Sequence, residues 1–234
     1  MRGVMRVMRA HRTVRRSLLV AGLAATALLS PTGVVAQSDD SGDDVEAGEL
    51  DVYAPVAAQR RSGFTVGVNL GLMVGDVSGF PADFDKVGVA EHEVDTGAVA
   101  TLGANAWIGG ALQDWFTFGL GGTGVGLSGN GLDASGGAFL VHIEVFPFFP
   151  LGGGLRDLGF AANFGVGGMT IERAGKERAQ GSGMSVVGAG VFWEALSWGG
   201  LNVGPSAEYL HMTMRNITLH AGQVGLRVAW YGGP

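Results

Sequence analysis

The sequence predicts an all-β protein, with eight antiparallel strands closing into an up-and-down barrel whose large apolar side chains face outward. Three observations carry this. Apolar residues recur with a period of two along successive segments of about a dozen residues. The opposite face of those segments is built from small residues, and glycine fills 43 of 234 positions. The segments are joined by connections that tend to be short at one end and longer at the other. Composition removes the main competitors. The glycines follow no three-residue period, which excludes collagen. At 47% hydrophobic and 15% charged, the chain has the material to fold. The absence of cysteine excludes disulfides, thiolate metal sites and a cysteine nucleophile. A net charge of −6 speaks against a nucleic-acid partner.

The first 36 residues read as an export signal. Arg2, Arg6, Arg9, Arg12, Arg15 and Arg16 form a basic front without any acidic residue. An apolar run from Leu18 to Leu29 follows, then Pro31 and the small end Val34-Val35-Ala36, with cleavage expected after Ala36. The run is too short for a membrane-spanning helix, which needs about 20 apolar residues. Cleavage would remove six of the 15 basic residues and none of the 21 acidic ones, leaving a net charge of −12. Residues 37–61 read as a disordered acidic periplasmic tether. Asp39, Asp40, Asp43, Asp44, Glu46, Glu49 and Asp51 crowd it without the alternation or turn glycine of a calcium loop, and Arg60 and Arg61 end it.

Residues 62–231 carry the barrel, with strands expected at about 62–75, 97–111, 115–128, 135–149, 158–171, 183–196, 201–213 and 217–231. In the first, Phe64, Val66, Val68, Leu70, Leu72 and Val74 alternate with Thr65, Gly67, Asn69, Gly71, Met73 and Gly75. Phe116, Phe118 and Leu120 oppose Thr117, Gly119 and Gly121; Phe139, Val141, Ile143 and Val145 oppose His142 and Glu144. In the later strands Val187, Ala189, Val191 and Trp193 oppose Gly188, Gly190 and Glu194, and Val224, Leu226, Val228 and Trp230 oppose Gln223, Gly225 and Arg227. Small residues on both faces leave the register of the second and seventh strands open.

A glycine-lined face makes a poor soluble core, because glycine buries nothing and weakens a strand. An eight-stranded membrane barrel asks for the reverse arrangement. Its bulky residues meet lipid, and its narrow bore has room only for small or polar side chains. The connections agree in part. Leu112-Gln113-Asp114 and Ser197-Trp198-Gly199-Gly200 are short, the one around Pro150 is a little longer, and the opposite ones from Asp76 to Thr96 and Glu172 to Ser182 are longer and charged. Phe64, Trp115, Phe116, Phe146, Phe148, Phe149, Phe160, Trp193, Trp198, Trp230 and Tyr231 cluster toward the short-turn ends, as an interfacial girdle would.

The final strand, Gln223-Val224-Gly225-Leu226-Arg227-Val228-Ala229-Trp230, resembles the carboxy-terminal assembly signal of outer-membrane proteins: polar, any, glycine, apolar, any, apolar, any, aromatic. The signal residues are Gln223, Gly225, Leu226, Val228 and Trp230; the chain departs from the pattern by adding Tyr231-Gly232-Gly233-Pro234. As a whole, residues 62–231 resemble small eight-stranded outer-membrane proteins of the OmpA/OmpX/OmpW type. The resemblance implies location in the outer membrane of a Gram-negative bacterium, contact with its lipids, and insertion by the barrel-assembly machinery. A monomer is expected.

On this register Glu144, Glu194, Glu208 and Arg227 point into the lumen. They are expected to form a network in which Arg227 bridges the glutamates and plugs the bore, giving a barrel with a structural or surface-interaction role. A narrow pore with a cation-selective constriction is the alternative reading. A lipid-modifying enzyme is a second, with His211, Thr213, His220 and His92 as candidates. No serine nucleophile stands beside them and His211 falls on the lipid-facing register, so no catalytic residue is expected. Glu91-His92-Glu93 is too isolated to build a metal centre, and no metal or other cofactor is expected. A soluble exported barrel resembling a lipocalin is the remaining competitor. The acidic first outer loop (Asp76, Asp83, Asp85, Glu91, Glu93 and Asp95 against Lys86) would present a negative surface.

Overall fold

A computed structural model describes residues 60–81 and 84–233, all within the compact unit Asp51–Pro234. The expected signal segment and residues 37–59 of the expected tether lie outside the described residues. Eight long strands run β1 (Gly63–Gly79), β2 (Val99–Gln113), β3 (Phe116–Gly129), β4 (Leu132–Val145), β5 (Leu158–Arg173), β6 (Lys176–Trp193), β7 (Leu201–Thr213) and β8 (Ile217–Tyr231). Each pairs antiparallel with its neighbours in sequence. β8 pairs back onto β1 from Thr65 opposite Tyr231 to Gly79 opposite Ile217, and this closes the ring. Two short strands sit outside the cycle: Val94–Asp95 lies against the end of β1, and Leu196–Trp198 against the start of β7.

The faces fall as an inside-out sheet requires. Leu70, Leu72 and Val74 are exposed, with Leu72 at 58%, while Gly67, Asn69 and Met73 are buried. β2 resolves its ambiguous register the same way, with Leu102 at 82% exposure and Trp107 at 4%. β7 also settles: Asn202, Ser206, Leu210 and Met212 are buried and Tyr209 is exposed. From Phe64 to Val74, at ~3.3 Å per residue and a tilt of ~40°, the outer apolar stripe rises about 25 Å, the height of an outer-membrane hydrocarbon band.

Above that band the pattern reverses. In β3 the outward Phe118 and Leu120 give way to outward Gly124, Gly126 and Ser128, while Val125 and Leu127 turn inward. β4, β5 and β6 do the same, with Leu132, Ala134, Ile171, Ala179, Met184 and Val186 buried and Asp133, Ser135, Glu172 and Gln180 exposed. The upper barrel is therefore right-side-out, as a sheet surrounded by water should be.

This reversal explains a difference from the sequence expectation. The charged connection expected from Glu172 to Ser182 is mostly strand. β5 and β6 run on to a two-residue turn at Ala174 and Gly175, both at positive φ (52° and 74°), and Asn130 and Gly131 (49° and 72°) make the same kind of turn between β3 and β4. Charged side chains belong on strands whose outer face is wet. At the opposite end β4 stops at Val145, short of the expected 149, because Pro147 cannot donate to a ladder. Residues 146–157 form a loop with two 3-10 turns, longer than the sequence pattern suggested.

Candidate functional site

The bore is filled from the short-turn end upward by a connected column of polar side chains, made possible by the period-two alternation that turns them all inward. Glu144, near the end of β4, is fully buried. It accepts hydrogen bonds from Thr117 Oγ1 at 2.7 Å and Arg227 Nη2 at 3.0 Å, and its Oε1 lies 2.5 Å from Arg227 Nη1. Arg227, on β8 and 1% exposed, also reaches Glu194 Oε1 at 3.5 Å. Its guanidinium lies 4.5 Å from the Trp107 ring and 4.0 Å from the Phe192 ring, so aromatic faces cover the charge where carboxylates do not. The Trp107 indole occupies the space where a side chain on Gly67 would stand: a Cβ there would come within 2.0 Å of it. Glu194 accepts a 2.6 Å bond from the Tyr231 hydroxyl.

Arg61 enters this column from below. The sequence reading ended the tether with it; the structure places it inside the barrel, fully buried. It donates to Glu194 Oε2 from Nε at 3.0 Å and Nη2 at 2.7 Å, and to Asp157 Oδ1 at 2.7 Å, and it stacks 3.7 Å over the Phe146 ring. Burial works against its charge, but Glu194 and Asp157 leave its pKa above that of a free guanidinium. Arg60 adds a 2.6 Å bond to Asp157 Oδ2. Two of the expected girdle aromatics, Phe146 and Tyr231, are accordingly buried inside the barrel, whereas Phe64, Trp115, Phe160, Trp193 and Trp198 face outward.

Glu208 stands apart from Arg227. The sequence expectation grouped it with the glutamates that Arg227 would bridge. Instead Asn69, Asn105 and Asn163 donate amide protons to it. Its link to the lower cluster runs through Asn163, which lies 2.7 Å from His142 Nδ1, and on through His142 Nε2, 2.8 Å from Glu144 Oε1. His142 was legible on the inward face of its strand beside Glu144. The asparagines, one to a strand, gave no sign of converging, because closure of the ring brings them together and the linear spacing does not. Next to Glu208 lies a cavity of about 10 Å³ bordered by polar Asn105, Thr123 and Gln223 and by apolar Met73, Leu140 and Leu210, room for about one water molecule. From there upward the bore is packed by apolar side chains, among them Met212, Leu219, Ile171 and Leu127.

The signal residues of the last strand divide between the faces. Gln223 is buried in the lumen, Leu226 is exposed, and Val228 and Trp230 are half-buried. Gly225 answers a spatial demand, since a Cβ there would stand 2.0 Å from Leu70 O and 2.5 Å from Gly71 Cα, the glycine opposite it.

The residues considered for catalysis do not assemble into a nucleophile and base. Thr213 Oγ1 bonds to Met214 O and lies 3.4 Å from Thr218 Oγ1, and His211 and His220 lie on the outer face, where Tyr209 joins them. Among the described residues, no group of three or more His, Asp or Glu side chains is placed to hold a metal ion. His92 borders a shallow rim pocket of about 160 Å³ whose lining mixes Lys86, Glu91, Glu93, Arg173 and Arg178.

The architecture is a closed eight-stranded antiparallel up-and-down β-barrel with an outward apolar belt. Similar solved structures include Neisserial surface protein A (10% identity, 71% of this chain and 97% of that one, TM-score 0.48). Ail, the attachment invasion locus protein of Yersinia pestis, matches at 11% identity over 72% of this chain and 99% of its own (TM-score 0.46), and the outer membrane protein OprG of Pseudomonas aeruginosa at 10% over 74% and 98% (TM-score 0.39). The barrel described above rests on this chain's own ladder and burial, not on these likenesses. No protein-family model matches the chain, and no curated protein sequence matches it.

Proposed function

We propose that the chain is an integral outer-membrane barrel of a Gram-negative bacterium, closed to solutes, with a structural or surface-interaction role. The observation that carries this reading is the double closure of the bore. The Arg61–Glu194–Arg227–Glu144 column fills its lower part and a packed apolar layer from Met73 to Leu127 its upper part. The ~25 Å outer apolar stripe supports the membrane setting. In that setting the turn at Asp114 and Trp115 faces the periplasm, and the first loop, with Glu91, Glu93 and Asp95, faces outward. The barrel-assembly machinery would read the last strand, and lipids would cover the outside of the monomer.

The two guanidinium groups of Arg61 and Arg227 meet the carboxylates of Glu144 and Glu194, which counts against a cation-selective constriction. Refolded protein in a planar bilayer is expected to give no stable conductance steps, while migrating as a compact band on gels until boiled. Reproducible single-channel steps from the heat-modifiable form would refute the closed-lumen reading.

A further inference from the structure

Tyr209, His211 and His220 form a cluster outside the lumen that the proposed role leaves unused. β7 and β8 place His211 directly opposite His220 on the outward face, and β1 places Asp76 on the other side of His220, so the three occupy one row across three adjacent strands. Tyr209 stands two residues below His211, opposite Gly222. In β1 the last large apolar outward residue is Val74, and Asp76 follows one outward position higher. The row therefore lies just above the apolar belt, at the level of lipid headgroups.

The geometry within the row is specific. His211 Nδ1 and His220 Nδ1 face each other at 3.3 Å, with ring centroids 4.6 Å apart, and the Tyr209 hydroxyl lies 2.6 Å from the same His220 Nδ1. Two imidazole nitrogens bound to one tetrahedral zinc at ~2.0–2.1 Å are held ~3.3–3.4 Å apart. The pair is spaced as that chelate requires before any metal arrives. Both residues sit on paired strands that hold their backbones directly opposite each other, so only the two rings remain to be ordered on binding. The phenol oxygen, hydrogen-bonded to His220 Nδ1 at 2.6 Å, is a third donor within reach once that bond opens, and Asp76 stands on the next strand beside the pair.

We propose that His211 and His220 bind a divalent transition-metal ion with a tetrahedral preference, Zn²⁺ foremost, on the outer wall of the barrel at its headgroup rim. Tyr209 supplies a further oxygen and the remaining position stays open to solvent. Such an ion ties β7 to β8 next to the seam that closes the ring. Because it binds the folded barrel and not the separated strands, it raises thermal stability by linkage.

The test is a calorimetric titration of Zn²⁺ into the full chain, refolded in a non-ionic detergent without phosphate. The expected result is one ion per chain, with affinity falling about 10-fold or more in His211→Ala and in His220→Ala, a loss that even an outer-shell partner produces. His92→Ala should bind as wild type, and Tyr209→Phe should bind more weakly than wild type but more tightly than either rim histidine variant. The boiling-dependent gel shift serves where an alanine variant refolds poorly. Zn²⁺ should raise the temperature at which the wild-type compact band is lost, chelator should reverse this, and His211→Gln should abolish it. Unchanged affinity in the His211→Ala/His220→Ala double variant overturns the proposal. So does binding that follows His92, or a wild-type gel transition that Zn²⁺ leaves in place.

Discussion

Replacing Arg227 with methionine is the most direct probe of the charged column. The substitution keeps most of the side-chain volume between the Trp107 and Phe192 rings but removes the positive charge that sits 2.5 Å from Glu144 Oε1. Removing one partner of a buried ion pair costs about 3–5 kcal/mol, because the remaining charge is left desolvated. The two carboxylates would not suffer equally. Glu194 keeps both bonds from Arg61, so its charge stays compensated; Glu144 keeps only Thr117 and His142. His142 Nε2, 2.8 Å from Glu144 Oε1, and the Thr117 hydroxyl remain as polar partners for the stranded carboxylate. The loss should therefore fall at the lower end, about 3 kcal/mol. For a domain of this size each kcal/mol moves the melting temperature by about 2–4 °C, which gives a drop of about 6–12 °C. Loss of the compact gel band against incubation temperature measures it. The decisive comparison is the double variant Arg227→Met with Glu144→Gln, which removes the stranded charge along with its partner and should recover most of the loss. If the single variant melts with wild type, or the double variant is no better than the single, the column does not hold the barrel in the way its geometry implies.

Arg61→Ala should lower the same transition by a similar amount, about 3 kcal/mol, whereas Arg60→Ala, at a partly exposed pair, should cost about 0–1 kcal/mol. Leu70→Arg, on the apolar belt, should cost about 2–4 kcal/mol in lipid vesicles. Gly126→Arg, where an added Cβ meets open space above the belt, should stay within about 0.5 kcal/mol. Equal penalties at the two sites would mean that the belt has been drawn at the wrong height. Gly225→Ala should destabilise by about 1–3 kcal/mol through overpacking against Leu70 and Gly71, while Gly222→Ala, with nothing near its added Cβ, should refold and migrate as wild type.

The sequence by itself determined the strand count, the inside-out faces and the inward direction of Glu144, Glu194, Glu208 and Arg227. All of these follow from a period of two, which is a local property of an extended chain. It also assigned the faces of most of the lower strand halves, where an apolar outer belt and a narrow bore leave each position one kind of residue, but not those of the second and seventh strands, nor the inward turn of Phe146 and Tyr231. It did not mark the point at which each strand leaves the apolar belt. There the apolar side changes face while the alternation continues, so charged residues in β5 and β6 looked like loop. Only the tertiary structure decided who meets whom inside. Convergence of Asn69, Asn105 and Asn163 on Glu208 depends on ring closure, which brings residues from β1, β2, β5 and β7 to one level across the bore. Arg61 lies outside every strand, so no alternation could assign it a face; it is buried because the lower mouth of the barrel offers it Glu194, Asp157 and the Phe146 ring at once. Pairing of His211 with His220 likewise required the β7–β8 register, which sets two outward side chains opposite each other though nine positions separate them along the chain.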